Sequence, residues 1–412
     1  MKEIQFGTDG IRGEAGVHPI DAEAIRRIAQ AIIAILPQKP TILIAKDTRH
    51  SGAWIEDTLA QEFRKHQATI VLCGVLPTAA LACALVDYSG DLGVVITASH
   101  NPHQDNGLKF FSSSGRKLSA EHQTLIQEFL RSPKPLEDIG SGQIISHPHP
   151  TQAWKRRLPK LDLSRWKILL DCAHGSLSPY GEEILSSLGA TVRTIGASPN
   201  GYNINDNVGA LHPPQDLEGC DIALCFDGDA DRIVMVTPDQ GIIDGDDFLW
   251  LLRDSIEGKL IGTIMSNGGL EEALGERLVR SPVGDQHVAR KMKEHQALLG
   301  AEPSGHVIFE GEMPAGDGLY AALRILEAIG SPPVRINWTR WPAVQKSIRF
   351  QGKKLPIEHL ATINDAKNDK QRVIVRYSGT EPKIRILVEG QKADYWVEKI
   401  STEFLEKQCQ IT

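Results

Sequence analysis

The 412-residue chain has only six cysteines, Cys73, Cys83, Cys172, Cys220, Cys225 and Cys409, and none stands in a CxxC spacing. With no such pairing there is no disulfide framework to read. Several lie inside apolar runs, which suits reduced, buried thiols in a reducing compartment. No run of about 18 apolar residues occurs, so no membrane span is expected. The start, MKEIQFGTDG, lacks the apolar stretch of a secretory signal, and the expected location is the cytoplasm. The formal charge is −7 and there is no Lys/Arg block, which argues against a nucleic-acid partner because backbone binding needs a basic stripe. A composition of 41% hydrophobic and 24% charged residues is that of an ordinary globular protein, long enough for two to four domains.

What the chain does have is FDGDADR after the apolar run IALCF, placing Asp227, Asp229 and Asp231 on alternate residues at the mouth of a strand. Two carboxylates about 4 Å apart repel by roughly 1 kcal/mol in water and about 4 at an effective dielectric of 20, so this trio calls for a cation. Oxygen-only donors, with no His or Cys ligand pattern, favour magnesium over structural zinc. The alternative is a plain Asp/Gly turn. Arg232 beside the trio favours phosphoryl chemistry, since a guanidinium grips phosphate bidentately.

The periodicity of Ile25, Ile28, Ile32 and Ile35, with Asp21 as N-cap and Pro37 beyond, predicts a helix over 21–36. Strands follow at TILIA, TIVLCGVL and LGVVIT, separated by helical stretches from Ser51 and over Leu81 to Tyr88; that alternation implies a largely parallel sheet. Residues 131–150, rich in Pro, Gly, Ser and His, read as a linker. A second α/β unit runs from WKILLDC, through a helix capped by Ser178, to TVRTIG and the acidic strand end. A third begins near Asp244 and carries GAEPSGHV. A smaller fourth contains RVIVRY, the turn SGTEP, KIRILVEG and a terminal helix.

Three further loops carry candidate chemistry. In ASHNP, Ser99 is a candidate nucleophile on a strand-end loop, with His100 beside it; a turn serine is the plainer reading. Lys109 and Arg12 are cations suited to transferring charge. Arg376, Ser378, Gly379 and Thr380 look like a phosphate cradle, or else a polar hairpin. Glu302 and Ser304 can bind sugar hydroxyls, with His306 available for proton transfer.

TASHNP, FDGDADR, AEPSGH and RYSGTEPKIR, in that order, resemble the α-D-phosphohexomutases, and FGTDGIRG resembles their phosphoglucosamine mutase branch. The resemblance spans Phe6 to Glu389. It implies three α/β domains with mixed sheets plus a smaller C-terminal α+β domain around a central cleft, at 1–145, 146–240, 241–343 and 344–412. It further implies a phosphoserine at Ser99, one Mg2+ ion on Ser99, Asp227, Asp229 and Asp231, and a sugar 1,6-bisphosphate as primer and intermediate. Ser99, Arg12, His100, Lys109, Arg232 and His306 would then be catalytic, with Lys109 or His306 as general acid or base. Glu302, Ser304, Arg376, Ser378, Gly379, Thr380 and Arg385 would bind a small phosphosugar. The implied reaction interconverts glucosamine 6-phosphate and glucosamine 1-phosphate in a monomer or homodimer. The rivals are a phosphoglucomutase or phosphomannomutase, a phosphatase with an Asp nucleophile, and a non-catalytic phosphosugar sensor. Three positions depart from the family pattern: Pro303 in place of Gln, Gln286 in place of a basic residue, and His174 in place of Asn.

Overall fold

In the computed structural model, residues 4–411 are described apart from 8, 9, 134, 135, 353 and 378–381. The first sheet contains β1 (Ile11–Glu14), β2 (Thr41–Lys46), β3 (Thr69–Val75), β4 (Leu92–Ile96), β5 (Asp105–Ser112) and β6 (Gln143–Ser146), in the order β1-β5-β4-β2-β3-β6. The second contains β7 (Lys167–Asp171), β8 (Thr191–Ile195), β9 (Ile222–Phe226), β10 (Ile233–Thr237) and β11 (Gly241–Ile243), ordered β11-β10-β9-β7-β8. The third contains β12 (Leu260–Thr263), β13 (Leu278–Ser281), β14 (Leu299–Ala301) and β15 (Val307–Phe309), ordered β13-β12-β14-β15. The fourth, β16 (Ala343–Arg349), β17 (Arg372–Tyr377) and β18 (Lys383–Glu389), is antiparallel in the order β16-β18-β17.

One wiring recurs in the first three sheets. A parallel pair (β2/β3, β7/β8, β12/β13) takes a third strand (β4, β9, β14) parallel on its other side, and that strand turns straight back as an antiparallel fourth (β5, β10, β15). The sheets are therefore mixed rather than largely parallel, because a short loop between third and fourth strands leaves no room for a crossover helix. Strands β4 and β9 are buried along their whole length, as expected for strands covered on both faces.

Local chemistry explains the helices. Asp21 caps Ala22–Ile33 by accepting the Ala24 N–H at 2.9 Å, and Ile25, Ile28 and Ile32 face the core. Two expectations need correction. The 131–150 segment is not only a linker, because its Gln143–Ser146 pairs in parallel with β3 as an edge strand. Ser178 does not cap a helix: residues 176–180 form turns and the helix begins at Gly181, after Tyr180.

A continuous apolar core runs through the first three units, from Leu43 and Val95 through Phe226 to Phe248 and Leu326, and a second core lies on the other face of the first sheet. The C-terminal unit has its own core, built around Ile384, Ile386, Val388, Val397 and Phe404. No helix among the described residues is long and apolar enough to cross a membrane.

Candidate active site

The chemistry-bearing segments of the first three units are the same connection in each, the loop from third to fourth strand: 97–104, 227–232 and 302–306. Equivalent wiring delivers them to equivalent places, and they meet. Ser99, buried at 0% exposure, donates its Oγ hydrogen to Asp227 Oδ2 at 2.6 Å, across 128 residues of sequence. His100 Nδ1 lies 3.2 Å from the same serine oxygen. Gly228 makes the approach possible, since a Cβ there would stand 2.6 Å from the Ser99 carbonyl oxygen and 2.7 Å from Ile204 Cδ1.

Asp227, Asp229 and Asp231 are all buried, each with one carboxylate oxygen within 4.8 Å of the others. Lys109, on β5 and 1% exposed, donates to Asp229 Oδ2 and Asp231 Oδ2, both at 2.6 Å. Thr78 adds its hydroxyl to Asp229 Oδ2 and its N–H to the Asp229 carbonyl. Yet Asp229 Oδ1 and Asp231 Oδ1 are buried with no hydrogen-bond partner among the described residues. Three buried carboxylates, two of them with an orphaned oxygen, plus a serine oxygen within reach, fit a small hard cation such as magnesium.

The electrostatics follow from this crowding. Burial, then the neighbouring charges of Asp231 and Asp229, push Asp227 up to about 7 against the opposing pull of Arg232 and the Ser99 hydrogen bond. Burial acts the same way on Asp231, but Lys109, His306 and Arg232 outweigh it and hold that carboxyl well below its usual range. Burial and the cations Arg232 and Arg12 depress His100 to about 3, so its imidazole is neutral. His306 is raised despite burial, because it sits between Asp231 at 3.8 Å and Asp285 at 3.7 Å.

The sequence-predicted residues fall into three groups. Ser99, His100, Lys109, Asp227, Asp229, Asp231, Arg232 and His306 are brought together; Arg232 Nε lies 4.0 Å from Asp227 and 3.9 Å from Asp231. Arg12, on β1, reaches the same loop through Nη1 to the Ala98 carbonyl at 3.3 Å. The third-unit loop docks against the acidic loop through an Arg232/His306 bridge and an Ile233 N–H to Gly305 carbonyl bond of 3.0 Å. In that loop Glu302 accepts the Gly284 N–H at 2.9 Å, while Ser304 is exposed. Arg376 and Arg385 stand directly opposite each other on β17 and β18, with both Nε atoms unpartnered among the described residues. Like charges placed so are unfavourable, and burial together with Arg385 lowers the Arg376 pKa. Such a pair suits an anion between its members. Ser378, Gly379 and Thr380 lie outside the described residues.

Lys109 is engaged by two carboxylates and His306 is held between two, whereas the neutral His100 touches the Ser99 oxygen. His174 does not enter the site. Its carbonyl accepts the Thr48 hydroxyl at 2.5 Å and its Nδ1 accepts the Ser198 N–H at 3.1 Å, so it holds a loop. Sequence reasoning passed over Asp47, Arg49, Thr78 and Asn205, all of which contact the serine or acidic loops. The KDTR run after TILIA was the available signal, a charged cluster at the same strand end as the others.

Models of the phosphoglucomutase/phosphomannomutase alpha/beta/alpha domains I, II and III match residues 3–136, 151–241 and 244–335, and the C-terminal domain model matches 342–407. Proteins named phosphoglucosamine mutase from Pseudomonas fluorescens and Photobacterium profundum are 36% and 38% identical, over 95% and 94% of this chain and 95% of each relative. Among solved structures, a phosphoglucomutase/phosphomannomutase family protein from Burkholderia thailandensis superposes with a TM-score of 0.76 at 22% identity, covering 97% of this chain and 96% of that one. Aspergillus fumigatus N-acetylphosphoglucosamine mutase, in complex with GlcNAc-6P and magnesium, gives 0.65 at 16% identity over 100% and 96% of the two chains. With all four domain models matched in order, and with relatives above one-third identity over nearly the full length, the chain belongs to the phosphoglucomutase/phosphomannomutase family, the α-D-phosphohexomutases.

Proposed function

We propose that this enzyme interconverts glucosamine 6-phosphate and glucosamine 1-phosphate, with Ser99 carrying the phosphoryl group. The observation that carries the reading is the contact of Ser99 Oγ with Asp227 inside the acidic trio, 2.6 Å, with His100 Nδ1 at 3.2 Å. The amino-sugar substrate is supported by the names of the relatives at 36% and 38% identity.

In the first half-reaction a hydroxyl oxygen of the monophosphorylated sugar attacks phosphorus, the bond from phosphorus to Ser99 Oγ breaks, and the sugar 1,6-bisphosphate forms. One proton moves from the sugar hydroxyl to the serine oxygen. The second half-reaction reverses these changes at the other phosphate, so the serine ester is regenerated. Asp227, Asp229 and Asp231, with an oxygen on Ser99, would hold a magnesium ion, which supplies positive charge against the transferring phosphoryl oxygens. Arg232 and Arg12 border the same loop and add fixed positive charge. His100 is the group in contact with the oxygen that gains and loses a proton. Lys109 keeps two carboxylates together. Arg376 and Arg385, with Ser378, Gly379 and Thr380, hold the phosphate not in transfer, while Glu302 and Ser304 take sugar hydroxyls. A grip that accepts either phosphate lets the bisphosphate turn over without leaving.

Peptide mapping of purified protein should find phosphate on Ser99, and kcat/KM should be highest for glucosamine 6-phosphate among the glucosamine, glucose and mannose 6-phosphates. A preference for glucose or mannose would replace the amino-sugar assignment. Phosphate retained in Ser99→Ala and released by hydroxylamine would mean an aspartyl phosphate and a different enzyme.

A further inference from the structure

Ser99 has φ of +53°, a left-handed conformation that a residue with a side chain seldom adopts. Its carbonyl accepts two side-chain donors, Arg49 Nη2 at 3.1 Å and Asn205 Nδ2 at 2.9 Å. The same two side chains converge on the Asn101 carbonyl, at 2.8 and 3.0 Å. Arg49 Nη1 also donates to the Asp105 carbonyl at 2.9 Å and to that of Pro102. The guanidinium is aimed by Asp47, whose Oδ2 accepts Arg49 Nε at 2.9 Å and the Thr97 hydroxyl at 2.6 Å. Thr97 in turn accepts the Ser99 N–H at 2.9 Å. Arg49 and Asp47 are 3% and 1% exposed, so their ion pair lies away from water, while Asn205 is half-buried.

We propose that Arg49 and Asn205 are positioning residues for phosphoryl transfer. They act as two jaws on the Ser99 to Asn101 backbone that keep Ser99 Oγ directed at Asp227. This rests on the reading of Ser99 as the phosphoryl carrier. Neither side chain contacts the serine oxygen; they act through the carbonyls on either side of His100.

The jaws come from different units. Arg49 follows β2 of the first sheet; Asn205 lies between β8 and β9 of the second, itself left-handed at φ +59° and tied to the Ala173 carbonyl at 2.9 Å. The two segments interlock through the His50 N–H on the Gly201 carbonyl at 3.0 Å and the Thr48 hydroxyl on the His174 carbonyl. The serine therefore has its working geometry only when the first two units are docked. A lysine at 49 would keep the charge but not the fork, whose planar spread reaches several carbonyls at once.

The test compares Arg49→Lys and Asn205→Asp, the second keeping size and left-handed tendency while exchanging the amide donor for an acceptor. Single-turnover transfer from the phosphorylated enzyme to sugar phosphate should slow roughly tenfold to hundredfold in each, with KM moving much less. Guanidinium ion should restore part of the rate to Arg49→Ala but not to Asn205→Asp. Folded variants transferring within about twofold of wild type, or losing efficiency through KM alone, would overturn the inference. Should Arg49→Lys not fold, Asn205→Asp decides. Wild-type protein whose Ser99 never carries phosphate defeats the functional reading and this inference together, whereas a phosphorylated wild type with unimpaired variants defeats this inference alone.

Discussion

Gly228 governs how closely the serine and acidic loops approach. With a carbonyl oxygen 2.6 Å from where its Cβ would be, Gly228→Ala must push the Ser99 backbone aside. The expected cost is about 1–3 kcal/mol in stability by chemical denaturation, with kcat reduced roughly tenfold or more because the serine oxygen moves off Asp227. Asp229→Asn should lower kcat by about 10²–10³-fold with no recovery at saturating magnesium, while far-UV circular dichroism stays close to wild type. At this scale the acidic trio was plain to read, since DxDxD is local and sits at a strand end; its need for a cation comes from the burial the fold imposes on it. Asn205 was not: it meets Ser99 across 106 residues, and nothing in GYNIND marks one asparagine from its neighbours.

Elements were legible where one local rule governed them. The isoleucine stripe and Asp21 specify the first helix, and the apolar runs of β4 and β9 specify buried strands. Gln143–Ser146 escaped notice because an exposed four-residue edge strand has no alternating pattern, and it exists only by pairing with β3. Asp317 caps Gly318–Ile329, accepting the Leu319 and Tyr320 N–H groups at 2.9 and 3.1 Å together with Trp154 Nε1. Burial raises it to about 6 even so. Its folded pKa therefore exceeds the unfolded value of about 3.9, the folded state binds the extra proton between roughly pH 4 and 6, and stability falls as pH rises through that window by up to about 3 kcal/mol. Subtracting the unfolding free energy of Asp317→Asn from that of wild type should expose this slope; a flat difference would refute it.

For the whole molecule, the division of cores matters most. Three units share one apolar core, while the fourth packs on its own and joins the third through a small buried polar contact. There Glu389, 1% exposed, accepts the Gly268 N–H at 3.0 Å and Arg372 Nη1 at 2.5 Å. Glu389→Gln weakens the partner of that guanidinium at a cost of about 3 kcal/mol. Loss of the attachment should raise KM for phosphosugar several-fold with a smaller change in kcat, and calorimetry should show the C-terminal unit melting separately. The chain's local order marks which side chains are candidates for the chemistry, because carboxylate spacing, strand-end loops and turn residues are short-range properties. Which of them touch belongs to the fold. Repeating one strand order three times carries three loops far apart in sequence to one place, where burial depresses His100, raises Asp227 and leaves Lys109 fastened between two acids. Desolvation and contact depend on what surrounds a group in space, and no spacing along the chain encodes that.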